Sequence, residues 1–509
     1  MRPALAKYIC TMVWLVSMET LLLAQAAPRE QAPSPAAPQT SGQHALPTVF
    51  FPMAEPQEMQ MDHHGGDIPM VVPRFPRLGD SQRVVAGPVY QLEQLERLAM
   101  ANNPTLLQAR RAVEAMRGQQ RQSGMYPNPT VGYRGDEIRG GTYGGGEQGF
   151  FVEQPIVLGG KLGLNRKVGA AEVKEQEAEA EAQRHRVEND VRTAYYHMLA
   201  AQEHLAVVRD LVEIAKTTVR VVHQLGNVGQ ADETEVLEAE AEEQRMEVNA
   251  EVAGQVLRRR WVALTSIVGA PALAEGSVAG RIDEALPPFE EPQLLASLLS
   301  ESPNIASAKA EVQQAAAALD RAQHDHVPDL VVKGGLQQNF EQLGAVPGRQ
   351  VGLQGFAEIG AHLHFWDRNQ GGVAAARANL EAAQAEVTRV ELALRRRFAA
   401  QAQNYQSSRQ TSERYRNEIL PRLQRAYALM ITQYGEMTAS FIRVLNLQRM
   451  LFENETAYID ALEHAWTGNV VLRGFLLEGS LDGPGARPGE SSENEMEKMP
   501  AIVQTSGVF

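Results

Sequence analysis

Apolar residues fall on a sustained seven-residue grid in two long stretches of this chain. Val187, Val191, Ala194, Met198, Ala201, Leu205, Val208, Val212, Ala215, Val219 and Val222 are separated alternately by four and three residues. Val373, Ala376, Leu380, Ala383, Val387, Val390 and Leu394 repeat the grid. A strict heptad keeps one narrow seam in register and imposes a left-handed supercoil. The pattern predicts one helix from about Asn165 to Leu225, ~90 Å long at ~1.5 Å per residue. A second runs from about Gly372 to Gln433, with Pro421 expected to kink it. Each rod ends in a turn, Gly226-Asn227-Val228-Gly229 in one case and Tyr434-Gly435-Glu436-Met437 in the other. Return helices follow, through Val236-Leu237 and Val444-Leu445.

A period of two marks the remaining ordered stretches. From Val351 to Phe365 the odd positions are Val, Leu, Gly, Ala, Ile, Ala, Leu and Phe, whereas the even ones include Gln354, Glu358, His362 and His364. One apolar and one polar face at this spacing is the pattern of a membrane-barrel strand. Asp329 to Gln338 forms its expected partner. Thr130 to Asp136 and Gln148 to Leu158, flanking a glycine-rich loop at 140–146, form a second pair.

The chain states this plan twice. A constant offset of 199 residues separates Pro104 from Pro303, Val113 from Val312 and Pro129 from Pro328. Leu158-Gly159-Gly160 opens one rod, and Trp366-Asp367-Arg368-Asn369 opens the other. A duplicated unit this large is not a short-period solenoid. The resulting division is 89–285 for the first repeat and 286–478 for the second. Residues 1–26 read as an export signal, in which Arg2 and Lys7 precede an apolar run and Ala24-Gln25-Ala26 offers a cleavage site. Residues 27–88 read as a disordered Pro-rich arm and 479–509 as a disordered tail.

Four strands cannot stand alone in lipid, because an open sheet leaves backbone groups unpaired there and the smallest usual barrel has about eight strands. Several chains must share one ring. Three chains give twelve strands, continued by the rods as a tunnel. The fold class is therefore mainly α with a small β part: a duplicated coiled-coil tunnel with four transmembrane strands per chain.

Composition narrows the function. Aromatics are only 6% of the 509 residues, which suits long rods packed by Ala, Val and Leu. The formal charge of −14 argues against a nucleic-acid role and suits a conduit for cations or a basic partner. The single cysteine, Cys10, lies in the export segment and lacks a lipoprotein cleavage context, so no lipid anchor is expected. No metalloprotease, phosphate-loop or cysteine-nucleophile motif occurs, so no enzyme and no cofactor are expected.

Several marks occur in a fixed order: Asn102-Asn103-Pro104, Tyr126-Pro127-Asn128-Pro129, Trp366-Asp367-Arg368-Asn369-Gln370-Gly371, Ile419-Leu420-Pro421 and the stretch Ser440 to Arg449. In these the chain resembles the TolC-like outer-membrane factor family, over about residues 89–478. The Asp-Arg-Asn-Gln-Gly segment is most similar to the heavy-metal branch. The resemblance implies a homotrimeric exit duct in outer-membrane lipid, docked to a periplasmic adaptor and an inner-membrane proton-driven pump.

It also implies a gate of acidic rings one turn past the helical tips. The second-half positions are Arg443 and Asn446, a departure from that pattern. The first half supplies Glu235 and Glu238, with Asp232 and Glu233 adjacent, and Arg443 is a candidate latch for them. The alternative is a solvated helix face. Gly226, Gly229, Gly435 and Met437 are the expected adaptor contacts, although glycine capping accounts for part of their presence. Met53, Met59, Met61, His63, His64 and Met70 in the arm carry soft donors suited to Cu(I) or Ag(I). His362 and His364 are candidates to line a cation path, against the alternative of polar lumen filler. A coiled-coil scaffold without a pore is the competing reading of the whole, and the alternation at 351–365 argues against it.

Overall fold

The computed structural model describes residues 87–138, 146–342, 348, 350–436 and 438–482. The first repeat contains β1 (Val89–Tyr90), α1 (Leu92–Asn102), α2 (Pro104–Ser123), β2 (Thr130–Asp136), β3 (Glu147–Ile156), α3 (Lys161–Asn227) and α4 (Glu233–Val268). After β4 (Ser277–Val278) the order returns as α5 (Glu291–Glu301), α6 (Pro303–Gln323), β5 (Leu330–Gln342), β6 (Gln350–Ala361), α7 (Gln370–Arg414), α8 (Leu420–Gly435) and α9 (Phe441–Arg473). Helix–helix–strand–strand–rod–return is thus written twice. β1 and β4 pair in parallel as a small separate ladder.

The repeated landmarks do the same local work with different chemistry. Pro104 and Pro303 both sit at the start of a helix, where a missing N–H costs nothing. Asn103 caps α2 by accepting from the Thr105 amide at 2.9 Å, and its own amide group reaches the Ile267 carbonyl at 2.8 Å. Ser302 is the counterpart, yet its buried hydroxyl has no partner among the described residues. Each rod begins after a left-handed residue, Gly160 (φ 68°) in α3 and Asn369 (φ 62°) in α7. Glycine adopts this conformation freely, and asparagine tolerates it better than most residues do. At the first of these junctions Asp329 accepts from the Leu158 amide at 2.9 Å and pairs with buried Lys161 at 3.1 Å.

Helix order follows strand order. The four-stranded antiparallel sheet runs β2-β3-β5-β6. The helices attached to those strands pack side by side as α2–α3–α6–α7. Helical wall and sheet are therefore one continuous surface. Toward the other end the wall is made of α4, α3, α9 and α7 with its continuation α8. Ten of the eleven heptad positions read in α3 are buried, and Val219 is half-buried against the same seam.

The second rod differs from its expected form. It is not one helix: a π-helical turn at Tyr415–Ile419 separates α7 from α8. Pro421 removes a backbone donor inside the helix. The Leu420 amide bonds to the Tyr415 carbonyl, five residues back, and this wider turn lets the chain continue past it. The last strand is also shorter than read, ending at Ala361. His362, Leu363, His364 and Phe365 lie beyond it, because no ladder partner precedes Leu330 on β5.

At the other end the chain is described to Asp482, a few residues into the stretch read as a tail. The Asn189 amide group donates to the Gly474 and Leu477 carbonyls, and Asp190 accepts from the Ser480 amide at 2.6 Å. Residues 474–482 are thereby clamped onto α3.

Candidate functional site

Two regions carry functional geometry, the sheet and the opposite tip. Pairing register sorts the sheet into two faces. On one, Val131, Val152, Gly334 and Ala357 form a row, and Tyr133, Phe150, Leu336 and Gly355 form the next. The large residues of this face are exposed: Val131 is 70% accessible, Phe150 69% and Leu353 71%. The other face carries the row Thr130, Glu153, Lys333 and Glu358, then Gly132, Phe151, Gly335 and Phe356, then Arg134, Gly149, Gln337 and Gln354. Several of its polar groups pair with one another. Lys333 pairs with Glu153 at 3.5 Å and lies 4.1 Å from the Phe151 ring centroid, while Asn339 and Gln337 donate to Glu147. An apolar face in contact with solvent over four strands is a large unsatisfied area in water and a matched one in lipid. Among the described residues β2 and β6 each pair on one side only.

His362 and His364, read as strand residues, are placed in the segment after β6. Their ring centroids are 5.1 Å apart. His324 and His326 bond to the Asp320 and Gln323 carbonyls, completing the turn after α6. Among the described residues no group of three or more His, Cys, Asp or Glu is arranged to hold a metal ion, and no helix is long and apolar enough to cross a membrane. Met53, Met59, Met61, His63, His64 and Met70 lie outside the described residues, as do the export segment and nearly all of the arm.

At the tip, the ends of α3 and α8 meet the starts of α4 and α9. Val222, Ala239, Phe441 and Leu445 are buried together, with Val219, Val236 and Tyr434 packed against them. Both halves of the duplication thus converge in one small apolar cluster. The α3–α4 turn closes by a Schellman pattern: Gln230 donates to the Leu225 carbonyl at 2.8 Å and Gly229 to Gly226 at 3.0 Å. Gly229 has φ 73°, which is why a residue without Cβ stands there. Gly226 lies within the helix and needs no such freedom. In the second turn Thr438 donates to the Gln433 carbonyl at 2.9 Å, the counterpart bond. Gly435 ends α8, and Met437 lies outside the described residues.

The acidic residues at the tip divide by role. Asp232 is the N-cap of α4, accepting from the Glu235 amide at 2.8 Å. Glu233 and Glu235 occupy the first turn, where the helix dipole favours negative charge. Burial, with a smaller contribution from the Glu235 carboxylate, pushes the Tyr434 hydroxyl up to about 12. Glu238 faces solvent. Arg443 and Asn446 are exposed on α9, and among the described residues Arg443 forms no ion pair within the chain.

A helical wall that continues, helix by strand, into a two-faced sheet is the fold of a chain from a helical-tunnel-and-barrel protein. Comparison with known proteins agrees. The Outer membrane efflux protein family matches residues 95–270 and 294–474, the two repeats in turn, and the chain belongs to that family. It is 26% identical over 412 residues to the cobalt-zinc-cadmium resistance protein CzcC of Cupriavidus metallidurans, covering 80% of this chain and 93% of that protein. Its fold is similar to that of CusC, with a TM-score of 0.63 at 16% identity over 80% of this chain and 97% of that one. It is equally similar to the outer membrane protein VceC of Vibrio cholerae, with a TM-score of 0.63 at 17% identity over 76% and 96% of the two chains.

Proposed function

We propose that three copies of this chain close a twelve-stranded barrel in the outer membrane and form a passive exit duct for heavy-metal cations. The observation that carries this is the sheet: an exposed apolar face, an opposite face that carries the paired polar groups, and two edges paired on one side among the described residues, set at the end of a long helical wall. In lipid those edges must be paired, and a second and third copy supply the missing strands. An adaptor and an inner-membrane proton-driven pump provide energy and cargo, and the chain itself performs no catalysis. The CzcC likeness supports divalent transition metals as cargo.

Glu235 and Glu238 form the negative ring at the closed tip in this reading, and Arg443 of one copy bridges to a neighbouring copy. Asp232 shapes the turn. The test is planar-bilayer conductance of the purified channel together with its mass in detergent. A trimer whose conductance rises in Arg443→Ala and whose cation preference falls in Glu235→Gln is the expected result. A water-soluble, stable monomer that leaves the cell envelope without detergent overturns the duct.

A further inference from the structure

The helical bundle contains two buried glutamates in opposite circumstances. Glu242 of α4 accepts from Arg245 on its own helix and from Arg449 of α9 at 2.8 Å. Two cations hold its carboxyl below the usual range against the opposing effect of burial, so it stays ionised and staples α4 to α9. Glu455, also on α9, is 1% exposed and has no cation partner among the described residues. Among the described residues its Oε1 has no hydrogen-bond partner. α8 offers it Gln424, while α3 faces it with the carboxylates of Asp210 and Glu203. Asp210 is itself buried.

The site lies beside the one irregular stretch of the rods. α8 joins α7 through the π-turn at Tyr415–Ile419, next to Pro421. A cavity of about 240 Å³ adjoins that turn, lined in part by Ser412, Arg416, Tyr458 and Leu462. Tyr458 is one helical turn from Glu455. The hinge has free volume beside it, and an unpaired acid sits within the packing that the hinge would have to break.

We propose that Glu455 is a proton-operated latch on the α8–α9 hairpin. As a neutral acid it is compatible with the packed core and hydrogen-bonds within it. Ionised, it faces Asp210 and Glu203 without a counter-ion, and the hairpin loosens from α3 about the π-turn. Burial, with smaller contributions from Asp210 and Glu203, raises its carboxyl to about 7. The folded value is thus above the ordinary one. The stabilisation from protonation is fully present in acid and is lost as pH rises through about 7. The latch therefore opens with alkalinity and closes with acid. It rests on the tip being a gate, but its structural signature can be read without any pore.

The test is hydrogen exchange across α8 in the purified full-length protein at pH 6 and pH 8, corrected for intrinsic amide chemistry. Protection of α8 is expected to fall on the order of tenfold over that interval, the effect of one pH unit beyond the titration midpoint. Glu455→Gln keeps the size and neutral charge and should hold α8 protected at both pH values. Asp210→Asn should move the midpoint toward acid. A corrected change in α8 that persists in Glu455→Gln, or protection that is lost toward acid, overturns the latch. Pore conductance that fails to appear while the exchange pattern holds counts against the duct and leaves the latch standing.

Discussion

The two rods use the same heptad grammar and are buried very differently. In α3, 26 of 67 residues are buried, against 6 of 45 in α7. Val187, Val191, Met198 and Val208 are all 0% exposed, whereas Val373, Ala376, Leu380, Val387 and Val390 are only half-covered. The difference is one of position. α3 lies inside the wall between α2 and α6, then between α4 and α9, while α7 is at an edge. Burial of an amphipathic helix is set by how many neighbours it has, and the seam repeat alone does not say how many. Among the described residues the sheet shows the same asymmetry: β3 and β5 are paired on both sides, β2 and β6 on one. The chain is finished at its centre and unfinished at its edges, in helix and strand alike.

That contrast can be broken experimentally at matched seam positions. Val208→Asp places an unpaired charge at a fully buried site and is expected to cost about 4 kcal/mol or more, enough to prevent folding. Val387→Asp should cost only about 1 kcal/mol within one chain, and its effect should appear as loss of assembly. Thermal melting and light-scattering mass of both variants separate the two cases. A Val387→Asp protein that unfolds as readily as Val208→Asp would show that the edge is already covered within the chain.

A smaller effect distinguishes the two faces of the sheet. Leu353→Arg on the apolar face should destabilise the membrane-inserted protein by about 2–4 kcal/mol near the bilayer centre. Gln354→Arg, the next residue on the opposite face, should be nearly neutral. Urea-dependent extraction from lipid vesicles gives both values, and equal losses would contradict the assignment of faces.

The smallest expected difference compares the two tips. Asp232 caps α4 through its side chain, and Ser440 stands at the equivalent start of α9 with no side-chain cap bond. Asp232→Ala should therefore cost about 1 kcal/mol and Ser440→Ala close to nothing. Differential scanning calorimetry of the two variants reads the sign.

Much of this was legible before any coordinates. The bounds read for α3, Asn165 to Leu225, fall just inside Lys161–Asn227, since a long seam leaves little freedom of register. The strand read at Thr130 to Asp136 matches β2. His362 and His364 were misplaced because alternation continues past the last paired residue, and alternation does not report where a ladder partner runs out. Pro421 signals a kink in the sequence, but not that a π-turn at Tyr415–Ile419 accommodates it. Glu455 carried no signal, because an acid on a long polar-rich helix looks solvated until the neighbouring helices are in place. The clamp of residues 474–482 was hidden in the same way, its partners Asn189 and Asp190 lying nearly three hundred residues earlier.

By itself the sequence determined periodicity and repetition: rods with one apolar seam, strands with two unlike faces, and the same order of elements written twice. These are local consequences of side-chain spacing along a helix or strand. Only the tertiary structure decided that α2–α3–α6–α7 continue β2-β3-β5-β6 in matching order, which rod is central and which lies at the edge, and which buried acid has a cation beside it. Those outcomes depend on contacts between residues distant in the chain, and the surroundings of a side chain are set by packing rather than by its neighbours in sequence.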